Sequence, residues 1–217
     1  MKALLYKEFK LATHPAVYFF LLLSTLLLIP SYIYHVAFIY TLLGVFLIFL
    51  TGRENKDILA TVSLPVRKRD LVKARVTMVT IIELLQIVLS IPFAIIGVRI
   101  NPLAAGNTAG IEANYALFGS VLVMYALFNI FFIPAVYSNP NKLGVPFLVS
   151  GLLVLAYGTA FEALVQLVPA FKTALDNTNP AFAPIQLMVL AFGIVFFALT
   201  LWLTYNRSVQ NFEKVDL

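Results

Sequence analysis

The chain has 217 residues, of which 61% are hydrophobic and only 12% charged, with a mean hydropathy of +0.94 and a formal net charge of +5. A soluble domain carries roughly twice that share of charge, so there is too little polar material here to coat a globule, and lipid is the matching solvent. No cysteine is present and there are only two histidines, His14 and His35, which excludes disulfides, thiolate zinc sites and a cysteine nucleophile and leaves no metal-binding cluster.

Residues 1–13 (MKALLYKEFKLAT) come first. Leu4, Leu5, Phe9 and Ala12 fall on one helical face, with Lys2, Lys7, Glu8 and Lys10 around the rest. This is the pattern of a short helix lying in the headgroup layer, and no small-residue cleavage site follows it. Six apolar stretches then follow, at 16–33, 36–52, 76–98, 114–137, 145–168 and 185–205. Each approaches the ~20 residues that a spanning helix needs. The expected fold is therefore all-α, one polytopic transmembrane domain covering 1–217. The first two spans form a hairpin joined at Tyr34-His35, and His14-Pro15 marks entry to the first.

Charge sets the orientation. With six spans and the N-terminus inside, Lys2, Lys7, Lys10, Arg53, Lys56, Arg67, Lys68, Arg69, Lys73, Arg75, Lys142, Arg207 and Lys214 fall in the cytosol. Only Arg99 and Lys172 of the 15 basic residues fall outside. That asymmetry is what the positive-inside rule describes. The basic excess is then a topology and lipid signal, and nucleic acid is not an expected partner. Among the outer loops, 99–113 (RINPLAAGNTAGIEA) reads as flexible. The half-apolar 169–184 (PAFKTALDNTNPAFAP) reads as re-entrant or surface-lying.

The cytosolic loop 53–75, RENKDILATVSLPVRKRDLVKAR, is the one polar segment large enough to hold a soluble partner. Ile58, Leu59 and Val62 recur at helical spacing. Glu54 and Asp57 stand at the N-terminal end, where the helix dipole favours anions, and Pro65 stops the helix. A second helix beginning near Asp70 runs into the third span. Two readings fit these residues: a docking protrusion, or a solvated loop whose cations fix topology and touch anionic lipid.

Inside the third span Thr77, Thr80, Glu83, Gln86 and Ser90 make one polar stripe, with Glu83 roughly 12 Å beyond Arg75. Intramembrane carboxylates are costly and usually face a cavity or a partner. The stripe fits a translocation path or a dimer seam, and equally a packing stripe with Glu83 protonated or bonded to a neighbouring helix. Glu162, near the outer end of the fifth span, is close enough to the interface to snorkel to water. Asn129 reads as packing glue, and the two histidines as isolated. Pro30, Pro92, Pro134 and Pro146 fall at or inside span ends, where they bend helices. Glu83 and Glu162 lie toward opposite membrane faces, so they do not form the carboxylate pair that a membrane-embedded lipid-modifying enzyme would use. A secondary carrier is the nearer rival, although no internal repeat supports it.

The order of an amphipathic N-terminus, a tight hairpin and then E-N-K-D-x-x-x-x-x-S-L-P-V-x-x-x-D-x-V-x-A-R resembles the permease subunits of type-2 ABC exporters. Glu54, Ser63-Leu64-Pro65 and Ala74-Arg75 carry the likeness. The small, domain-free size is similar to the membrane subunits of the phenol-soluble modulin exporter and related peptide exporters. The resemblance implies pairing with a second copy or a paralogous permease, each docking a soluble ABC ATPase subunit. The helix at 54–65 would act as the coupling helix: Glu54, Asp57, Ile58, Leu59, Val62, Ser63, Leu64 and Pro65. The cargo it implies is an amphipathic toxin or antimicrobial peptide. No G-x-x-x-x-G-K-[ST] loop occurs in the chain, so no cofactor is expected on it. ATP and magnesium would belong to the partner subunit.

Overall fold

The computed structural model describes residues 2–62, 66–100 and 107–215, without the side chains of Ile58, Leu59, Val62 and Ile100. Every regular element among them is helical. Helix α1 (Lys2–Lys7) runs on into a π-helical turn, Glu8–Ala12. After Pro15 the chain bends by 88° into α2 (Ala16–Leu22), which tightens into a 3-10 helix over Leu23–Leu28. Helices α3 (Tyr34–Glu54), α5 (Lys68–Ile100), α6 (Tyr115–Ser138), α7 (Gly144–Leu167) and α9 (Ala183–Glu213) are each long and apolar enough to cross a membrane. Counting the bent pair as one span brings the total to six. Two short helices complete the set, α4 (Asp57–Val62) and α8 (Pro169–Leu175).

The segment expected at 16–33 as one span is helical only to Leu28, and the connection to α3 is residues 29–33 rather than Tyr34-His35. Pro30 and the two tyrosines at 32 and 34 explain the shift. Proline breaks the helix where it stands, and Tyr34 is already buried as the first residue of α3. The expected outer segment 169–184 becomes α8, opened by Pro169, and a 3-10 turn over Pro180–Phe182 that leads into α9.

Helix α6 is the centre of the fold. It carries no charge, and 83% of its apolar stretch is buried, against 28% in α5 and 22% in α7 and α9. A helix that is apolar all round belongs inside. Tyr125, Phe128 and Phe132 fill the interior around it, with Phe132 edge-on to Phe49 at 5.3 Å and Phe46 stacked on Phe147 at 4.2 Å. On its other side α9 touches it backbone to backbone. A Cβ on Gly193 would collide with the Gly119 carbonyl, so both positions need glycine. Small residues at a helix crossing are how apolar helices gain contact in a medium with no hydrophobic drive.

Candidate functional site

Polar side chains collect in three places. The first is the end of the molecule where α1, α4 and α5 meet. Arg75, in the second turn of α5, is 3% exposed. Its Nη2 donates to Asp57 Oδ2 at 2.6 Å and its Nε pairs with the Glu8 carboxylate. Lys7 Nζ lies 2.5 Å from Asp57 Oδ1 and donates to Thr61 Oγ1 at 2.7 Å. Two cations and two carboxylates thus form a neutral cluster with Arg75 and Glu8 buried at its centre, the condition under which charges survive away from water. Gly52 makes room for it, since a Cβ there would lie 3.1 Å from Arg75 Nη1, and the Phe49 ring faces the guanidinium at 5.4 Å.

This cluster corrects two expectations. Glu8 was expected on the outward polar face of the N-terminal helix and is 1% exposed. The π turn that begins at Glu8 adds a residue to the turn, so a face counted at 3.6 fails from there on. Glu54 was expected to open the loop helix and instead closes α3, exposed and 4.0 Å from Arg53 Nη2. Between it and α4 stand Asn55 and Lys56, the latter in the left-handed region at φ 51°. Asp57 does open α4, and the cluster engages it. The side chains of Ile58, Leu59 and Val62, and residues Ser63, Leu64 and Pro65, lie outside the described residues.

The second place is the interior face of α5. Glu83, Gln86 and Ser90 are fully buried. Asn129 Nδ2 on α6 donates to both Glu83 oxygens at 3.1 and 2.9 Å, and Ser90 Oγ donates to the Gln86 carbonyl at 2.7 Å. The Gln86 side-chain amide has no hydrogen-bond partner among the described residues. Thr80 is half-buried and bonded to the Val76 carbonyl at 2.9 Å. The stripe therefore faces into the protomer against α6.

The third lies at the opposite end, and sequence reasoning missed it. His35 is not isolated: its Nδ1 is 2.7 Å from Glu162 Oε1 and its Nε2 2.8 Å from Ser120 Oγ. Tyr157 Oη donates to the same Ser120 oxygen at 3.2 Å. Glu162 does not snorkel. Its Oε2 accepts the Ile111 amide at 3.0 Å, because the loop over 107–114 folds back across the helix ends and brings donors to it. Charge-assisted bonds of this kind outweigh a reach to water.

Hydroxyl, imidazole and carboxylate stand in the order of a nucleophilic triad. Ser120 is only 1% exposed, however, so no substrate carbonyl reaches its hydroxyl. The network braces the loop instead. Further bonds pin it: Asn107 Nδ2 to the Tyr32 carbonyl at 3.1 Å, Thr108 N to the Pro30 carbonyl at 2.8 Å, and Glu112 N to Asp176 Oδ1 at 2.9 Å. Burial pushes the Glu112 carboxyl above its usual range and Asp176 adds to this, while the Asn107 amide it accepts at 2.5 Å works the other way. Asn114 caps α6 and donates to the carbonyls of Leu175 and Asn177, tying the same loop to α8. No sequence signal pairs His35 with Glu162 across 127 residues.

The family described as ABC-2 family transporter protein matches this chain over residues 3–213. No curated protein matches it, and no solved structure does. A match over nearly the whole length settles the family, and the apolar helices agree with it. The chain belongs to the ABC-2 transporter family, as a multi-pass membrane permease that is not itself catalytic and depends on a partner to hydrolyse ATP.

Proposed function

We propose that the chain forms, with a second copy or a paralogous permease, the membrane pathway of an ATP-driven exporter in the cell membrane. In this reading both termini and residues 53–75 face the cytosol, as the distribution of basic residues favours. A separate soluble ATPase carries ATP and magnesium and docks at α4. The cargo is an amphipathic substrate such as a toxin or antimicrobial peptide, a reading that rests on the small size and the loop letters shared with peptide exporters.

The observation that carries the proposal is the Arg75–Asp57 contact. A helix that merely floated on a loop could not pass force inward, whereas α4 is fastened through Asp57 to Arg75 on α5 and to Lys7 on α1. Motion imposed on α4 by an ATPase reaches the membrane helices without a slack linker. The polar stripe of Thr80, Glu83, Gln86 and Ser90 would line the path once α5 and α6 part. The unpartnered Gln86 amide supports this, because a buried orphan costs on the order of 1–3 kcal/mol and is tolerated where another state supplies a partner.

The test is association with the cognate ATPase in detergent, read together with stimulated hydrolysis. Ile58→Ala with Leu59→Ala should weaken association by roughly tenfold or more, the usual effect of truncating interface anchors. Arg67→Gln, on an exposed side chain, should change it little. Normal association of the double alanine variant, with loss on Arg67→Gln, would place docking elsewhere.

A further inference from the structure

The end of the molecule that carries α1 and α4 contains a cavity of about 540 Å³, large enough for a small organic ligand. It is walled by the last turns of α3 and α6, by the loop into α7 and by Val215. Phe49, Val136 and Leu143, all buried side chains, give it an apolar wall. Arg53, Lys56 and Arg75 also line it, and no carboxylate among the described residues does. The charge of Arg75 is balanced by Glu8 and Asp57, so the surplus belongs to Arg53 and Lys56.

Cations that only fix orientation need no cavity, and others at this end have none. Arg67 lies 3.9 Å from Asp70 and Arg69 3.6 Å from Glu213, and neither lines the cavity. Arg53 has only its exposed sequence neighbour Glu54, at 4.0 Å. The Lys56 ammonium has no partner among the described residues. Lys56 also stands at φ 51°, in the left-handed region that a β-carbon disfavours. A residue kept there with its charge unanswered is a backbone outlier of the kind that gathers at ligand sites. Ser138 and Asn141 add a hydroxyl and an amide to the lining, and neither side chain is bonded among the described residues.

We infer that this cavity binds one small amphipathic anion, a carboxylate or phosphate that carries an apolar group. Its acid sits on Arg53 and Lys56 and its apolar part against Phe49, Val136 and Leu143. Complementarity selects this class. A bare inorganic anion would answer the charge and leave the apolar wall wet. A neutral apolar molecule would shield two cations from water without answering them. The occupant also lies beside Gly52 and Arg75, the residues around which α4 is fastened to α5. The inference does not depend on export or on the identity of the ATPase.

Titration calorimetry of the full chain in a neutral maltoside detergent tests it. Phenyl phosphate and N-acetylphenylalanine serve as organic anions, with N-acetylphenylalaninamide and inorganic phosphate as comparators. At least one organic anion should bind about tenfold more tightly than either comparator, and the tighter of the two tells phosphate from carboxylate. Arg53→Gln with Lys56→Gln should weaken that binding about tenfold, while Arg67→Gln should leave it unchanged. Lys56→Gly alone should weaken it without lowering the melting midpoint, since glycine takes that φ without strain. No binding of either organic anion overturns the assignment. So does equal affinity for the amide, which would mark an apolar cleft, or for inorganic phosphate, which would mark surface charge. Unchanged affinity in the double glutamine variant or in Lys56→Gly, or an equal loss in Arg67→Gln, also overturns it, because the anion would then sit elsewhere.

Discussion

Arg75 sits where three segments distant in sequence converge, and its two carboxylate partners come from the π-helical turn after α1 and from α4. Removing the cation leaves the buried Glu8 and the partly buried Asp57 with only Lys7 between them. Breaking such a group by deleting one member costs about 3–5 kcal/mol, largely the penalty of the orphaned charge. Arg75→Gln should therefore lower the thermal unfolding midpoint in detergent by several degrees. Adding Glu8→Gln should restore part of that loss, because the second change removes an unpaired carboxylate. If the double variant unfolds at or below the midpoint of Arg75→Gln alone, the cluster is not the coupled unit described here.

At the scale of elements, α6 and α9 are held chiefly by backbone contact, with one polar bond near their ends, from Asn211 Nδ2 to the Pro134 carbonyl at 2.8 Å. Gly193 lies against the Gly119 carbonyl, so Gly193→Ala forces the two backbones apart along the crossing. We expect a loss of about 1–3 kcal/mol, the usual cost of overpacking, measured by detergent melting. Gly144→Ala, where a Cβ meets nothing within 4 Å, should cost much less. A Gly193→Ala chain as stable as the wild type would refute the close crossing. The long helices were legible because charge-poor runs of ~20 residues have few alternatives, and α5 does begin near Asp70, as the spacing predicted. What sequence could not give was any departure from the 3.6 period or any pairing across the fold. The π turn reverses the face of Glu8, the 3-10 turn and Pro30 shorten the first arm, and the loop over 107–114 turns Glu162 inward onto His35. The burial of Glu8 against Arg75 and of Glu162 against His35 is decided by partners far away in the chain.

For the whole molecule, α5, α7 and α9 leave most of their apolar stretches uncovered, with Leu148, Leu152, Phe192, Leu199 and Trp202 all exposed. Those faces require lipid or another membrane helix. The two polar ends must then lie on opposite sides of the bilayer. Single cysteines in this cysteine-free chain test which side is which: Arg67→Cys beside α5 and Thr108→Cys in the opposite loop, both exposed positions. An impermeant maleimide should label Thr108→Cys in intact cells and Arg67→Cys only after permeabilisation. The reverse pattern would invert the orientation.

The bent first arm adds a mechanical consequence. Seven α-helical and six 3-10 residues give Ala16–Leu28 a length of roughly 22 Å. The hydrocarbon layer is ~30 Å deep. For an arm that crosses it, roughly 8 Å is unmatched, and the bilayer answers by thinning beside the short helix at fractions of a kcal/mol per Å. Tyr18, Phe19 and Leu22 on this arm are exposed to that region. The leaflets would pinch toward each other there, next to the α2–α5 seam, and an amphiphile's polar portion would have less oil to cross at that point than anywhere else along the protein's perimeter.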